Sequence, residues 1–165
     1  MDEKAINSEH SAFARIEFAK SDSILSDVRN IIDAAQGFAR QEVNVALVRR
    51  NWLLGRRIAE EELAGEDRAD YGAEVIKKLA KELTKEYGKG FSRTNLYQFR
   101  QFYDMFPGIV QTASGQSTSL LTWSHYATML RVFDKDARDW YASEAASQNW
   151  SVRTLARNID SQYYH

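Results

Sequence analysis

The sequence predicts an all-α fold of five or six helices, and three observations carry that prediction. Apolar residues recur at helical spacing along most of the chain after residue 22. Residues that favour the N-cap position stand before these runs. One proline and eight glycines in 165 residues are too few for the many turns of an all-β fold. We expect one helical domain, residues 22–165, behind a flexible leader of residues 1–21.

A long first helix is predicted directly after the leader. Asp22 or Ser23 can cap it, and apolar residues continue at helical spacing to Gly65, over about 40 residues. Helices in globular proteins average about 11 residues, so this run is unusually long. Two interpretations stay open: either Gly37 divides the run into two helices, or one long helix extends beyond its own domain and packs on something else.

Two further helices are predicted on either side of a short turn that contains glycine. The first has its apolar stripe between Tyr71 and Tyr87. Gly88 can adopt the positive φ that often ends a helix, and residues 88–91 are predicted to form a tight turn. Ser92 can cap the next helix, which Pro107 ends. This arrangement, with the long helix before it, gives the fold a central helix–turn–helix unit.

The C-terminal third of the chain predicts a polar loop and then three short helices. Residues 108–119 are rich in Ser, Thr, Gly and Gln, which is typical of loops. N-cap residues precede the helical runs that follow, namely Thr122 or Ser124, Asp134 and Ser151. No segment shows the alternation of a β-strand, and no internal repeat is visible.

The net charge of −1 conceals an uneven distribution of charge along the chain. Residues 1–70 carry a net −4 and residues 102–165 a net −1, whereas residues 71–101 carry seven basic and three acidic side chains. A local excess of positive charge is typical of a surface that binds a polyanion. The alternative is a solvated helix face, because lysines are common on the polar side of amphipathic helices.

The basic segment coincides with the helix–turn–helix unit, whose second helix enters the major groove of DNA in many DNA-binding proteins. Donor-rich side chains lie opposite the apolar stripe of the predicted third helix and can contact bases or the groove: Arg93, Thr94, Tyr97, Gln98 and Gln101. Four neighbouring basic side chains are predicted to contact phosphates: Lys81, Lys85, Lys89 and Arg100. The alternative is a helical hairpin whose polar face binds nothing.

No enzyme active site is predicted, and we expect neither a metal nor a cofactor. The chain has no cysteine, which excludes disulfides and thiolate metal sites. His10 and His165 lie near the termini, so His125 stands alone and is expected to be a core or capping residue. The three consecutive glutamates at 60–62 diverge on a helix and cannot form a catalytic pair.

The sequence also predicts a cytoplasmic protein. The first twenty residues contain acidic side chains and lack the apolar run of a signal peptide. No stretch approaches the ~18 consecutive apolar residues that a membrane-spanning helix needs.

Three long blocks of sequence stand out as specific: NWLLGRRIAEEELAGEDRADYG, IKKLAKELTKEYGKGFSRTNLYQFRQFYDMFP and LLTWSHYATMLRVFDKDARDWYASEAASQNWSVRTLARNI. Over roughly Ser23 to Gln162 the chain resembles the N-terminal domain of the bacterial YhcG-like proteins, predicted nucleases of the PD-(D/E)xK superfamily. The resemblance implies a helical, winged-helix-like module that binds nucleic acid. It also implies that the metal-dependent nuclease centre belongs to a C-terminal domain absent from this sequence.

The most distinctive signature of that family, GKGFSRTNLYQFRQFY, coincides with the predicted turn and third helix. The resemblance thereby points to a set of residues in this sequence: Gly88, Gly90, Phe91, Ser92, Arg93, Asn95, Leu96 and Phe99. The glycines and the three apolar residues of this set are better explained by the turn and the core than by a ligand.

The leading hypothesis is a nucleic-acid-binding helical domain, with DNA favoured over RNA, that targets a C-terminal nuclease domain of the full-length protein. No catalysis is expected from this chain itself. The alternative hypothesis is a dimerisation or protein-interaction module without direct nucleic-acid contact, and a homodimer would form through the long N-terminal helix or the C-terminal helices. The two hypotheses are compatible, because a two-fold dimer would present two recognition helices to DNA. An independent enzyme that uses His125 and a neighbouring carboxylate is the least favoured alternative.

Overall fold

A computed structural model describes residues 16–65, 70–109 and 121–164. Within these ranges the chain forms six helices and no strand, which confirms the all-α class and leaves this part without a β-hairpin wing. The helices are α1 (Ile24–Ala64), α2 (Tyr71–Tyr87), α3 (Arg93–Met105), α4 (Trp123–Met129), α5 (Lys135–Ser147) and α6 (Val152–Asp160). None of these helices is both long enough and apolar enough to cross a membrane. Most of the predicted leader and of the predicted polar loop lies outside the described residues.

The first helix is a single continuous element of 41 residues. The chain therefore forms one long helix, and the alternative with a break at Gly37 is wrong. Ser23 is the cap, since its Oγ accepts a hydrogen bond from the Ser26 backbone N–H at 3.3 Å. The chain divides into two compact units between Asn44 and Val45, so α1 contributes residues to both.

Side-chain caps begin the later helices where the sequence predicts them. Each cap oxygen accepts a hydrogen bond from a backbone N–H two or three residues further on, at 2.9–3.4 Å, and the caps are Ser92, Thr122, Asp134 and Ser151. These bonds satisfy donors that the first turn of a helix leaves unpaired. Of the two residues proposed for α4, Thr122 rather than Ser124 is the cap. Pro107 lies just beyond α3, as predicted.

Residues 45–164 pack around two apolar clusters, and α3 contributes to both of them. The first cluster joins the second half of α1 to the C-terminal helices, and its most deeply buried members are Val48, Phe102, Met129 and Leu155. The second cluster joins α1 to α2 and the start of α3, through Ile58, Ile76, Ala80, Leu96 and Phe99. The ring of Trp123 lies edge-on to Phe99 and Phe102, at centroid distances of 5.3 and 5.1 Å, and so links the two clusters.

The crossing of α1 and α3 is close enough to require a glycine. A Cβ atom on Gly55 would lie 1.9 Å from the backbone oxygen of Phe99 and 3.0 Å from the Cβ of Tyr103. Because Gly55 has no side chain, the two helix backbones can approach closely, and this contact fixes α3 against α1. At Gly37, by contrast, a Cβ would meet nothing within 4 Å.

A buried arginine, which the sequence does not single out, ties α3 to the C-terminal helices. Arg138 of α5 is buried, and its guanidinium donates to the backbone oxygens of Val132 at 2.8 Å and Met105 at 3.2 Å. It also lies over the ring of Phe106, with 5.5 Å between Cζ and the ring centroid. The guanidinium therefore satisfies the Met105 carbonyl at the end of α3 and the Val132 carbonyl in the connection between α4 and α5.

Candidate nucleic-acid interface

The turn between α2 and α3 takes its shape from two glycines. Gly88 has a φ of 77° and Gly90 a φ of 112°, conformations that other residues adopt only with strain. Phe91 follows, and its ring packs against the second apolar cluster beneath the turn. Ser92 then caps α3. The positive φ angles of the two glycines and the packing of Phe91 together determine the direction in which the chain enters α3.

Three lysines line the outer side of α2 and continue into the turn. Lys81, Lys85 and Lys89 are all exposed, and they follow one another at intervals of four residues. Of these three lysines, only Lys85 approaches a carboxylate of the described residues, with its Nζ 3.9 Å from Glu82 Oε1. A pair at that distance between exposed groups contributes little. The three ammonium groups are thus available to an anionic ligand.

The start of α3 presents the side chains predicted to read bases. Arg93, Thr94 and Tyr97 are exposed, and Gln98 is half-buried. In the part of the chain that the structure describes, no carboxylate lies within ion-pair distance of Arg93. The structure therefore brings these four predicted residues together on the first one and a half turns of α3, next to Lys89.

Two of the predicted residues further along α3 are engaged within the molecule. Arg100 donates through Nε to Glu62 Oε2 at 2.8 Å and through Nη1 to Asp104. Burial of the guanidinium opposes its charge, but the hydrogen bonds to these two carboxylates outweigh the burial and raise the pKa of Arg100. Gln101 donates through Nε2 to the backbone oxygen of Leu130 at 3.0 Å. The available surface is consequently confined to the N-terminal part of α3.

A further basic residue, which no sequence pattern predicts as a ligand contact, lies beside the turn. The guanidinium of Arg50 in α1 lies over the ring of Phe91, 5.3 Å from the ring centroid. It also donates through Nε and Nη2 to the side-chain oxygen of the buried Asn51, at 3.1 and 3.0 Å. We call the exposed group of Arg50, Lys81, Lys85, Lys89 and Arg93 the basic surface. No local pattern in the sequence marks Arg50, because the ring that places it, Phe91, lies 41 residues further along the chain.

His125 has the structural role that the sequence predicts. It is buried, with Nε2 2.7 Å from the backbone oxygen of Trp150 and Nδ1 2.6 Å from Oγ1 of Thr122. A carbonyl oxygen can only accept, so Nε2 carries the proton and Nδ1 accepts from the Thr122 hydroxyl. Both ring nitrogens are therefore occupied in linking α4 to the residues before α6.

The three consecutive glutamates diverge, as predicted. Glu60 pairs with Arg56 and Glu61 with Arg57, each at 2.9 Å, while Glu62 binds Arg100. A hydrogen bond from Tyr71 and the pairing with Arg57 lower the pKa of Glu61. Across residues 16–65, 70–109 and 121–164, no three His, Cys, Asp or Glu side chains cluster as metal ligands would.

Comparison with known families adds to this geometry. Residues 27–165 match the family described as the DUF1016 N-terminal domain. The chain belongs to this family. The match includes nearly all of α1 and the whole of the basic surface. It therefore covers the second compact unit completely and the first from residue 27 onwards. The resemblance to YhcG-like N-terminal domains that the sequence indicates is confirmed.

One relative of the chain is a protein of Escherichia coli (strain K12) named "Putative nuclease YhcG". The two chains are 36% identical over an alignment 162 positions long, and the alignment covers 82% of this chain and 43% of the relative. The chain thus spans less than half the length of that relative. No solved structure matches the chain.

Proposed function

We propose that this domain binds nucleic acid, with DNA favoured over RNA, through the basic surface and the start of α3. The observation that supports the proposal most strongly is the collection of five exposed cationic side chains from α1, α2, the turn and α3 around a glycine turn. A local excess of positive charge attracts the phosphates of a nucleic acid, although the chain as a whole carries a net −1.

Different residues of the surface are suited to different parts of the ligand. Lysine and arginine side chains neutralise phosphates without regard to sequence. Thr94 and Gln98 can bond base edges in the major groove, and the N-terminal residues of a recognition helix are the ones that reach those edges. Arg100 and Gln101 are left out of the proposed contacts, because their donors already bond Glu62 and Leu130.

In the full-length protein, we infer that the domain delivers a nuclease domain to its substrate. The support is the relative whose name describes a nuclease and whose length is more than twice the aligned region. Under this proposal the cleavage chemistry belongs to the other part of that longer protein, and this chain supplies binding alone. The role would require the cytoplasmic location that the sequence predicts.

The proposal is tested by charge reversal on the basic surface. A chain that carries both Lys85→Glu and Lys89→Glu should bind a labelled DNA duplex at least about tenfold more weakly at low salt, because phosphate attraction becomes repulsion. Fluorescence anisotropy measures the affinity, with single-stranded DNA and RNA duplexes as parallel ligands. The control carries Arg153→Glu and Arg157→Glu, the same change of charge on exposed residues of α6. Equal losses in both variants, or no binding by the parent chain, would contradict the proposal.

A second function is supported by the N-terminal part of α1. Several large apolar side chains there are exposed, among them Ile24, Leu25, Val28, Ile32 and Val43. Contiguous exposed apolar side chains are typical of protein–protein interfaces. We propose that this part of α1 is a protein-interaction surface, a role compatible with nucleic-acid binding elsewhere in the domain.

A further inference from the structure

One aromatic side chain is exposed where α2 reaches the glycine turn. Residues at intervals of three or four, which lie on one side of a helix, run along α2 to its end: Ile76, Ala80, Leu83 and Tyr87. The first two are buried and Leu83 is half-buried, whereas Tyr87, the last residue of the helix, is 63% exposed. The side of α2 that faces the core therefore ends in an aromatic ring that is largely open to solvent.

Phe91 joins the Tyr87 ring to the basic surface. The centroids of the two rings lie 5.8 Å apart, and their planes make an angle of 58°. The guanidinium of Arg50 lies over the same Phe91 ring. Lys89, which is exposed, stands between the two aromatic residues in the turn. Tyr87 is thus a neighbour of two cationic residues of the basic surface, Arg50 through the shared ring and Lys89 along the chain.

We propose that the Tyr87 ring stacks on an unpaired base of a nucleic acid whose phosphates contact the basic surface. This inference rests on the proposed function and narrows its ligand to DNA in which a single strand adjoins a duplex. Inside a duplex the bases are stacked on one another and expose only their edges, so a tyrosine ring reaches the face of a base only where that base is unpaired. Proteins that bind single strands combine such aromatic rings with a cationic surface. The start of α3 remains the part that contacts the duplex.

Charge around Tyr87 favours a base over a phosphate at this position. The Tyr87 hydroxyl donates a hydrogen bond to the Glu86 carboxylate, which raises the pKa of Tyr87, so the phenol keeps its proton at neutral pH. A carboxylate repels a phosphate, but it has little effect on an uncharged base. The phosphates on either side of the stacked base are attracted instead to Arg50 and Lys89.

Fluorescence anisotropy with several forms of one DNA duplex tests the inference. The parent chain should bind a duplex with a single-stranded end of about four nucleotides, in one of the two polarities, at least about fivefold more tightly than the blunt duplex, because stacking adds affinity. A single-stranded end that lacks its bases should lose most of this gain, although its phosphates are the same. Equal affinity for the blunt and extended duplexes, or a full gain from the abasic end, overturns the inference and leaves the proposed binding function intact. A parent chain that binds neither duplex contradicts both.

Substitutions of Tyr87 test whether its ring provides the gain. Tyr87→Ala should remove the gain and keep the affinity for the blunt duplex, which also shows that the variant is folded. Tyr87→Phe should keep both, because the ring remains. Tyr163→Ala is the matched control, since Tyr163 is 65% exposed and lies beyond α6, outside the basic surface. A gain that persists in Tyr87→Ala overturns the inference.

A photochemical cross-link tests the contact itself. Iodouracil reacts under ultraviolet light with aromatic side chains that stack on it. Placed in the single-stranded end, it should cross-link to Tyr87, and mass spectrometry of the digested complex locates the modified residue. Cross-linking confined to other residues would overturn the inference.

Discussion

A single arginine is placed in the candidate interface by one contact that is distant in sequence and by one with its neighbour in the chain. Arg50 lies in a helix that contributes no other residue to the basic surface, and the Phe91 ring and the Asn51 side chain hold its guanidinium beside the turn. An arginine that is already held in position loses less side-chain entropy when it binds a phosphate. We therefore expect Arg50 to contribute as much to affinity as the lysines of α2.

The neighbouring arginine gives a matched test of that expectation. Arg50→Gln should lower the affinity for a DNA duplex about three- to tenfold, whereas Arg49→Gln should leave it nearly unchanged. Both residues are exposed on α1, and both substitutions remove one positive charge, but only Arg50 contacts Phe91. Anisotropy titrations at fixed salt measure the difference. Equal losses for the two variants would show that overall charge, rather than position, matters.

Tyr126 predicts how stability depends on alkaline pH. Burial raises the pKa of Tyr126 to about 12, and a backbone hydrogen bond with Leu121 partly opposes the rise. The folded state therefore holds the phenol proton more tightly than the unfolded state, whose tyrosines titrate near pH 10. The stabilising effect is complete below pH ~10 and is lost as the pH rises towards 12. Urea unfolding between pH 8 and 11.5 should show a shallower loss of stability for Tyr126→Phe than for the parent chain.

At the scale of single helices, two glycines of α1 should respond to the same substitution in opposite ways. Gly55→Ala should destabilise the protein by about 1–3 kcal/mol, because its Cβ would overlap the Phe99 carbonyl and force α1 and α3 apart. Gly37→Ala should stabilise it by about 0.5–1 kcal/mol, because nothing blocks a Cβ there and alanine favours a helix. Denaturant titrations followed by circular dichroism measure both changes. A stabilising Gly55→Ala would contradict the close crossing of α1 and α3.

Local signals in the sequence account for most of the helices. N-cap residues, the Gly88 turn and Pro107 mark helix ends because their effects operate within a few residues. Contacts between segments that are distant in the chain leave no such local signal in the sequence. The helical projection places Gln101 on the outer side of α3, but it cannot show that the Leu130 carbonyl, 29 residues along the chain, covers that position. The hydrogen bond between Arg100 and Glu62, which are 38 residues apart in the chain, could not be predicted for the same reason.

At the scale of the whole molecule, the charge distribution predicts how nucleic-acid binding depends on salt. If each of the five side chains of the basic surface neutralises one phosphate and counterions are released, log K should fall against log salt with a slope of about −4.5. Removal of one of these cations should reduce the slope by about one. The chain as a whole carries a net −1, so this salt dependence can come only from a local cationic surface. A slope near zero would therefore mean that the basic surface does not contact phosphates.

The 13 residues of α3 serve two purposes at once. Phe99 and Phe102 are buried on its inner side, while Arg93 and Thr94 are exposed at its beginning. If the proposed function is correct, a substitution that disturbs either aromatic ring would tilt α3 and weaken binding, although neither buried ring would contact the nucleic acid. In a mutational scan, therefore, only variants that keep the melting temperature of the parent chain would show which side chains bind the proposed ligand directly.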